Sequence, residues 1–266
     1  MNGHMNNIHP NAKIGKNVTI SPFVSISEDV IVGDNTWIAP NVVIMDGARI
    51  GKNCKIFPGA VISAEPQDLK YAGEITIAEI GDNTTIREFV TINKGTQALG
   101  KTVVGSGCLL MAYVHIAHDC VVGNNCILAN GVTLAGHITI DDYAIIGGLS
   151  AIHQFVHIGG HVMISGGSLI RKDVPPFVKA AREPLSYAGI NSVGLKRRGF
   201  DNEKINRIQD IYRIIFQKGY SSTKAIEILE TEIEASRERD DIITFIRNSS
   251  RGIMKGATAG EANFSE

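Results

Sequence analysis

Six of the eight histidines fall between His115 and His161, and it is their spacing that suggests chemistry. His118 is followed directly by Asp119; Gly136 and Gln154 come after His118 at equal intervals, and His137 and His153 stand beside those two. An unperturbed histidine titrates near neutrality, so His118 can take a proton from a hydroxyl while Asp119 or a nearby backbone carbonyl orients its ring. Gly136 carries no side chain that would cover its N–H, which leaves that group available to a developing oxyanion. No serine sits in a nucleophile elbow. Direct attack of an acceptor on an activated acyl donor is therefore favoured over a covalent enzyme intermediate.

The element that must position these residues is a repeat. From Ile8 onward every sixth residue is aliphatic, through Ile14, Ile20, Ile26, Val32 and Ile38 to Ile62, again at Ile80, Ile86 and Ile92, and then from Val104 to Ile170. Four residues after nearly every one of these comes a small or β-branched residue, such as Ala12, Val18, Thr36, Val90 or Ala144. Neither helical nor strand periodicity fits, whereas short strands separated by Gly, Asn and Asp corners do. Three hexads close one coil, so residues 18 apart stack on successive rungs at the strand spacing of ~4.8 Å. That ruler gathers His118-Asp119, Gly136-His137 and His153-Gln154 at one corner, with His115 on the strand leading into it. It sends His157 and His161 elsewhere, His161 onto Tyr143.

The four cysteines, Cys54, Cys108, Cys120 and Cys126, all occupy the small inward position and read as buried thiols, with neither disulfide nor metal. The register breaks across 64–78 and 97–101, two loops thrown out of the coil; the first holds Gln67, Asp68 and Lys70. The β-helix is assigned to 1–190. Beyond Pro175-Pro176 an irregular stretch leads to a small α-helical domain over 191–256, with helices at Asp201 to Lys218, from a Ser222 cap to about Ala235, and at Asp240 to Ser249. A disordered tail is expected over 257–266.

Charged residues make up 20% of the chain and the net charge is -1, so no global field recruits nucleic acid or a membrane surface. The apolar runs are too short and interrupted for membrane insertion, and the first residues lack a signal-peptide pattern, which points to a cytoplasmic protein. Clustered histidines can also bind metal. However, the pair five residues apart that serves zinc in the γ-class carbonic anhydrases is absent between His115 and His161, so no metal and no cofactor are assigned.

Taken in order, Gln67 to Glu74, His115-Ile116-Ala117-His118-Asp119-Cys120, Leu134 to His137, Ile152 to Phe155, Asp173 to Pro176 and Gly194 to Phe200 closely resemble the UDP-N-acetylglucosamine O-acyltransferases, which open lipid A synthesis. The resemblance implies a left-handed coil, although the crossover rule alone would favour the right-handed form. It also implies a homotrimer and transfer of an R-3-hydroxyacyl chain from acyl carrier protein to the 3-hydroxyl of UDP-N-acetylglucosamine. His118 matches the family's general base and Gly136 its oxyanion donor. Gln67, Asp68, Lys70, His115, His137, His153 and Gln154 match the substrate cleft, and Asn191, Arg197 and Arg198 match the nucleotide side. Gly166 matches a position that limits acyl length when bulky, so a long chain is expected. Val193, Asn93 and Pro184 depart from the residues of better-known members. The basic run Lys196-Arg197-Arg198 could dock the acidic carrier protein or a phosphate. The alternatives are another hexapeptide acyltransferase, using acyl-CoA or an amino-sugar acceptor, and a non-catalytic β-helix scaffold.

Overall fold

Every aliphatic residue of the repeat but Ile62 and Ile92 ends a short strand, and these strands stack in parallel into three sheets that form the faces of a prism. The computed structural model describes residues 5–256, and the expected tail at 257–266 lies outside the described residues. The first face has 9 strands, from Asn7–Ile8 to Leu169–Ile170, and the second has 8, from Lys13–Ile14 to His157–Ile158. The third begins at Thr19–Ile20 and grows to 11 strands. The architecture is a left-handed parallel β-helix followed by helices.

The inward column includes Ile38, Ile56, Ile86, Ile116 and Leu134, each fully buried, and a side chain of this size contributes about 1.5–3 kcal/mol on burial. The four cysteines are free and buried beside that column. Thr36 and Thr84 occupy the same inward position. Their hydroxyls donate to the Gly51 and Gly105 carbonyls at 3.0 and 2.8 Å and accept the Cys54 and Cys108 N–H groups, so no polar atom is stranded.

Ile62 pairs with Ile92, where an unbroken coil would pair it with Ile80, and Ile92 pairs with Ile116, where an unbroken coil would pair it with Leu110. The first insertion therefore adds two whole hexads and the second adds one, which is why the repeat never loses phase. The loops run over 65–76 and 94–100 rather than 64–78 and 97–101. The strands around them are longer than the repeat suggests: Ile77–Ile80 and Lys101–Val104 pair along their whole length. Both loops leave the coil between the first and second faces.

The stretch after Pro176, expected to be irregular, is a hairpin of Val178–Ala181 and Ser186–Ile190 that extends the third face. Four helices follow: α1 (Ser192–Arg197), α2 (Asn202–Gln217), α3 (Ser222–Glu232) and α4 (Arg237–Asn248). Asp201 caps α2 and Ile205, Ile208, Ile211, Tyr212 and Ile215 are buried, as the helical spacing requires. Three boundaries move. The α3 cap is Ser221, one residue before Ser222, and the helix ends at Glu232; α4 starts at Arg237 rather than Asp240 because Ser236 caps it through the Arg239 N–H. Lys255–Gly256 then pairs beside Ser186 and Tyr187, so the third face joins coil and helices.

Candidate active site

The last five crossings of the corner between the first and second faces are made by the two loops and then by the His118-Asp119, Gly136-His137 and His153-Gln154 turns. At each of the last three turns the third residue, Asp119, His137 or Phe155, has a positive φ of 58, 60 or 65°. The coil demands this left-handed conformation at the position whichever residue fills it, so successive side chains project alike. His137 accordingly stacks on Phe155, with ring centroids 4.8 Å apart, and meets His118 edge-on at 5.1 Å.

The Asp119 side chain is completely buried and that of His118 is only 9% exposed. The His118 Nδ1 lies 2.8 Å from the Asp119 Oδ2. That oxygen also accepts the Thr96 hydroxyl at 2.6 Å, while Oδ1 accepts the Thr96 and Leu99 N–H groups at 3.0 and 3.2 Å. Burial alone would raise the Asp119 pKa, but the hydrogen bonds from Thr96 and His118 outweigh it and hold the carboxyl below its ordinary value. Asp119 therefore stays ionised and favours the tautomer of a neutral His118 imidazole that carries its proton on Nδ1 and its lone pair on Nε2. Nε2 lies 4.0 Å from the Asp68 Oδ2 on the first loop.

Gly136 packs directly against the imidazole. A Cβ there would lie 2.5 Å from the His118 Cε1 and 2.7 Å from Nε2, so only glycine admits this ring position. Its N–H has no hydrogen-bond partner among the described residues. Beside His118 opens a cavity of about 440 Å³, lined by Asp68, Lys70, Tyr71, Thr96, Gln97 and His137 among others. Atoms of His118, Asp119 and His137 able to ligate a metal lie within 4.8 Å of one another, but hydrogen bonds from Thr96, Leu99 and His118 already engage both Asp119 oxygens.

His115 is half-buried one strand away, with Nδ1 2.7 Å from the Thr91 hydroxyl, and burial pushes its pKa down. His153, at the same corner, is exposed, with Nδ1 3.1 Å from the Gln154 carbonyl oxygen. Gln67 is exposed at the start of the first loop. Asn93 is buried and donates to the Glu65 carbonyl at 2.8 Å, while its Oδ1 has no partner among the described residues.

The other expected site residues are not brought to this corner. Gly166 lies between the third and first faces, at the far edge of the first. Asn191 and Arg198 lie at the remaining corner, where Asn191 caps α1 and donates to the His161 carbonyl at 2.9 Å. Arg198 donates to the Tyr143 carbonyl at 2.9 Å and covers that ring, while Arg197 is exposed at the end of α1. His161 stacks on Tyr143 at 5.0 Å; burial first, then the Arg198 charge, depress its pKa to about 4. His157, on the second face, pairs with Asp141 at 2.9 Å and packs on Phe245 of α4. Thr96, Leu99 and Glu74 complete the active corner, and of these only Glu74 belongs to a stretch that the sequence motifs single out.

The bacterial transferase hexapeptide model matches residues 29–64 and 101–136, and a model described as UDP N-acetylglucosamine O-acyltransferase, domain 2, matches residues 173–254. An acyl-[acyl-carrier-protein]--UDP-N-acetylglucosamine O-acyltransferase of Myxococcus xanthus is 46% identical over 195 residues, covering 73% of this chain and 76% of the relative. A solved UDP-N-acetylglucosamine acyltransferase from Bacteroides fragilis superposes with a TM-score of 0.94 at 53% identity, covering 96% of this chain and 100% of that one. The enzyme from Francisella novicida superposes with a TM-score of 0.93 at 38% identity over 100% of both chains.

Proposed function

Since the chain belongs to the UDP-N-acetylglucosamine O-acyltransferase family and is an acyltransferase, we propose that it moves an R-3-hydroxyacyl chain from acyl carrier protein to the 3-hydroxyl of UDP-N-acetylglucosamine, with His118 as general base. The observation that carries the mechanism is the buried His118–Asp119 pair, with Nδ1 held by a carboxylate and Nε2 4.0 Å from Asp68, which lines the cavity. Nε2 removes the proton of the sugar hydroxyl as its oxygen attacks the thioester carbonyl carbon. The Gly136 N–H receives the oxyanion, the C–S bond breaks, and the imidazolium returns its proton to the departing thiolate. Asp68, Lys70, His115, His137, His153, Gln154 and Gln67 line the sugar and acyl-carrier side in this reading.

A homotrimer accounts for the scatter of the remaining residues. In one chain Asn191, Arg197 and Arg198 stand at a different corner from His118, so they reach the sugar nucleotide only if a neighbouring chain presents them. The first loop exposes Leu69 and Ile75 almost completely beside the base, apolar surface that a neighbour would cover. Gly166 places no side chain at the far edge of the first face, which suits a long acyl chain. The setting in this reading is the cytoplasm; among the described residues no helix is long and apolar enough to cross a membrane.

Transfer from 3-hydroxyacyl carrier proteins of graded chain length to UDP-N-acetylglucosamine, by wild type and His118→Ala in parallel, tests this. Turnover is expected in the wild type, fastest with long donors, and a loss of about 10³-fold in a folded His118→Ala protein. A folded variant of undiminished rate would remove His118 as base, a short-donor preference would remove the long-chain reading, and an inert wild type would move the assignment to another donor or acceptor.

A further inference from the structure

The bonds that hold Asp119 come from a loop with no part in the chemistry so far. Residues 94–100 fold over the corner so that Thr96 donates twice to one carboxylate, through its N–H to Oδ1 and its hydroxyl to Oδ2. Leu99 adds a third N–H, and Thr102, at the foot of the loop, accepts the Asp119 N–H at 2.9 Å. The Thr96 side chain is buried, so no water replaces its hydroxyl. Oδ2 is shared by the Thr96 hydroxyl and the His118 Nδ1, and these two donors fix the direction from which the imidazole is held.

We propose that Thr96 is a positioning residue for the acyl transfer: its hydroxyl fixes the Asp119 carboxylate so that His118 presents Nε2 to the sugar hydroxyl. This rests on the reading of His118 as general base. Glu74 extends the arrangement. Its carboxylate accepts the Gln97 N–H at 3.1 Å and the Ala72 N–H at 2.9 Å, and the Thr76 hydroxyl donates to the Gly95 carbonyl, so the loop bearing Asp68 and Lys70 is stitched to the loop bearing Thr96. Substrate contacts on the first loop are thereby linked to the ring through one continuous set of bonds.

The titratable groups facing Asp119 are His118, His137 at 3.7 Å, Glu74 across the loop and the Cys120 thiol on the inward side; Asp68 faces the far nitrogen of His118. Removing the Thr96 hydroxyl leaves less of the Asp119 charge satisfied, so the carboxylate holds an imidazolium more firmly and a higher pH is needed to free the base. In the carrier-protein assay, Thr96→Val is expected to lower kcat/KM by about tenfold, the effect of one lost charge-assisted bond. The acid limb of its pH profile should move to higher pH, and Thr96→Ser should restore both rate and profile. A folded Thr96→Val enzyme with the wild-type rate and profile overturns the proposal, as does a loss of rate with an unmoved acid limb that serine does not repair. If neither Thr96→Val nor Thr96→Ala folds, Thr96 serves the fold and the proposal is likewise overturned. His118→Ala runs alongside: undiminished turnover there would defeat the reading of the base and not the hydrogen bonding of Thr96.

Discussion

At the residue scale, each group at the active corner is defined by the atoms around it. The ring of His118 rests where a Gly136 side chain would have to be, which ties two positions on successive rungs into one requirement. Gly136→Ala should displace the imidazole, lowering kcat at least about tenfold while costing about 1–3 kcal/mol of stability by overpacking; rates and urea titrations on the purified variant measure both. His161 supplies a pH prediction. Its folded pKa of about 4 lies below the ordinary 6.5, so between those values the unfolded chain takes up a proton that the folded chain refuses. Stability therefore falls as pH drops from about 6.5 toward 4. Urea midpoints across that range are expected to decline less steeply in His161→Gln than in the wild type; parallel curves would refute the assignment.

At the element scale, the coil acts as a ruler and the loops as a clamp. The ruler is legible in the sequence because the hexad phase survives both insertions, each of them a whole number of hexads. The same arithmetic implies that both loops leave at the histidine corner, since each follows a strand of the first face. The clamp is not legible in this way. The bonds of Glu74 to Gln97 and of Thr96 to Asp119 join residues 23 apart across a loop closure that no repeat describes. Glu74→Ala is expected to speed amide hydrogen exchange over residues 65–76 and to raise the KM for the sugar nucleotide more than it lowers kcat; unchanged exchange and KM would count against the coupling of the loops. The hairpin after Pro176 and α1 escape the periodicity because they are short and contain Pro, Gly and Ser, and their form comes from docking on the third face.

At the scale of the whole molecule, the prism spreads its matched residues over three corners, and a complete site needs a second chain in the proposed trimer. Two separately inactive variants, His118→Ala and Asn191→Ala, should regain activity when co-expressed, because some mixed trimers then pair an intact His118 with an intact Asn191 across an interface. Failure of mixed trimers to regain activity would place Asn191 outside the shared site. The sequence by itself determined the coil, its inward column, the buried cysteines and the histidine corner, because all four follow from a fixed repeat that turns sequence distance into height along one axis. Only the tertiary structure decided which atoms hold Asp119, why Gly136 must lack a side chain, and that Arg198 packs on Tyr143 at a corner other than that of His118. Those depend on loop closure, ring orientation and the docking of helices against a face, none of which the spacing of the repeat specifies.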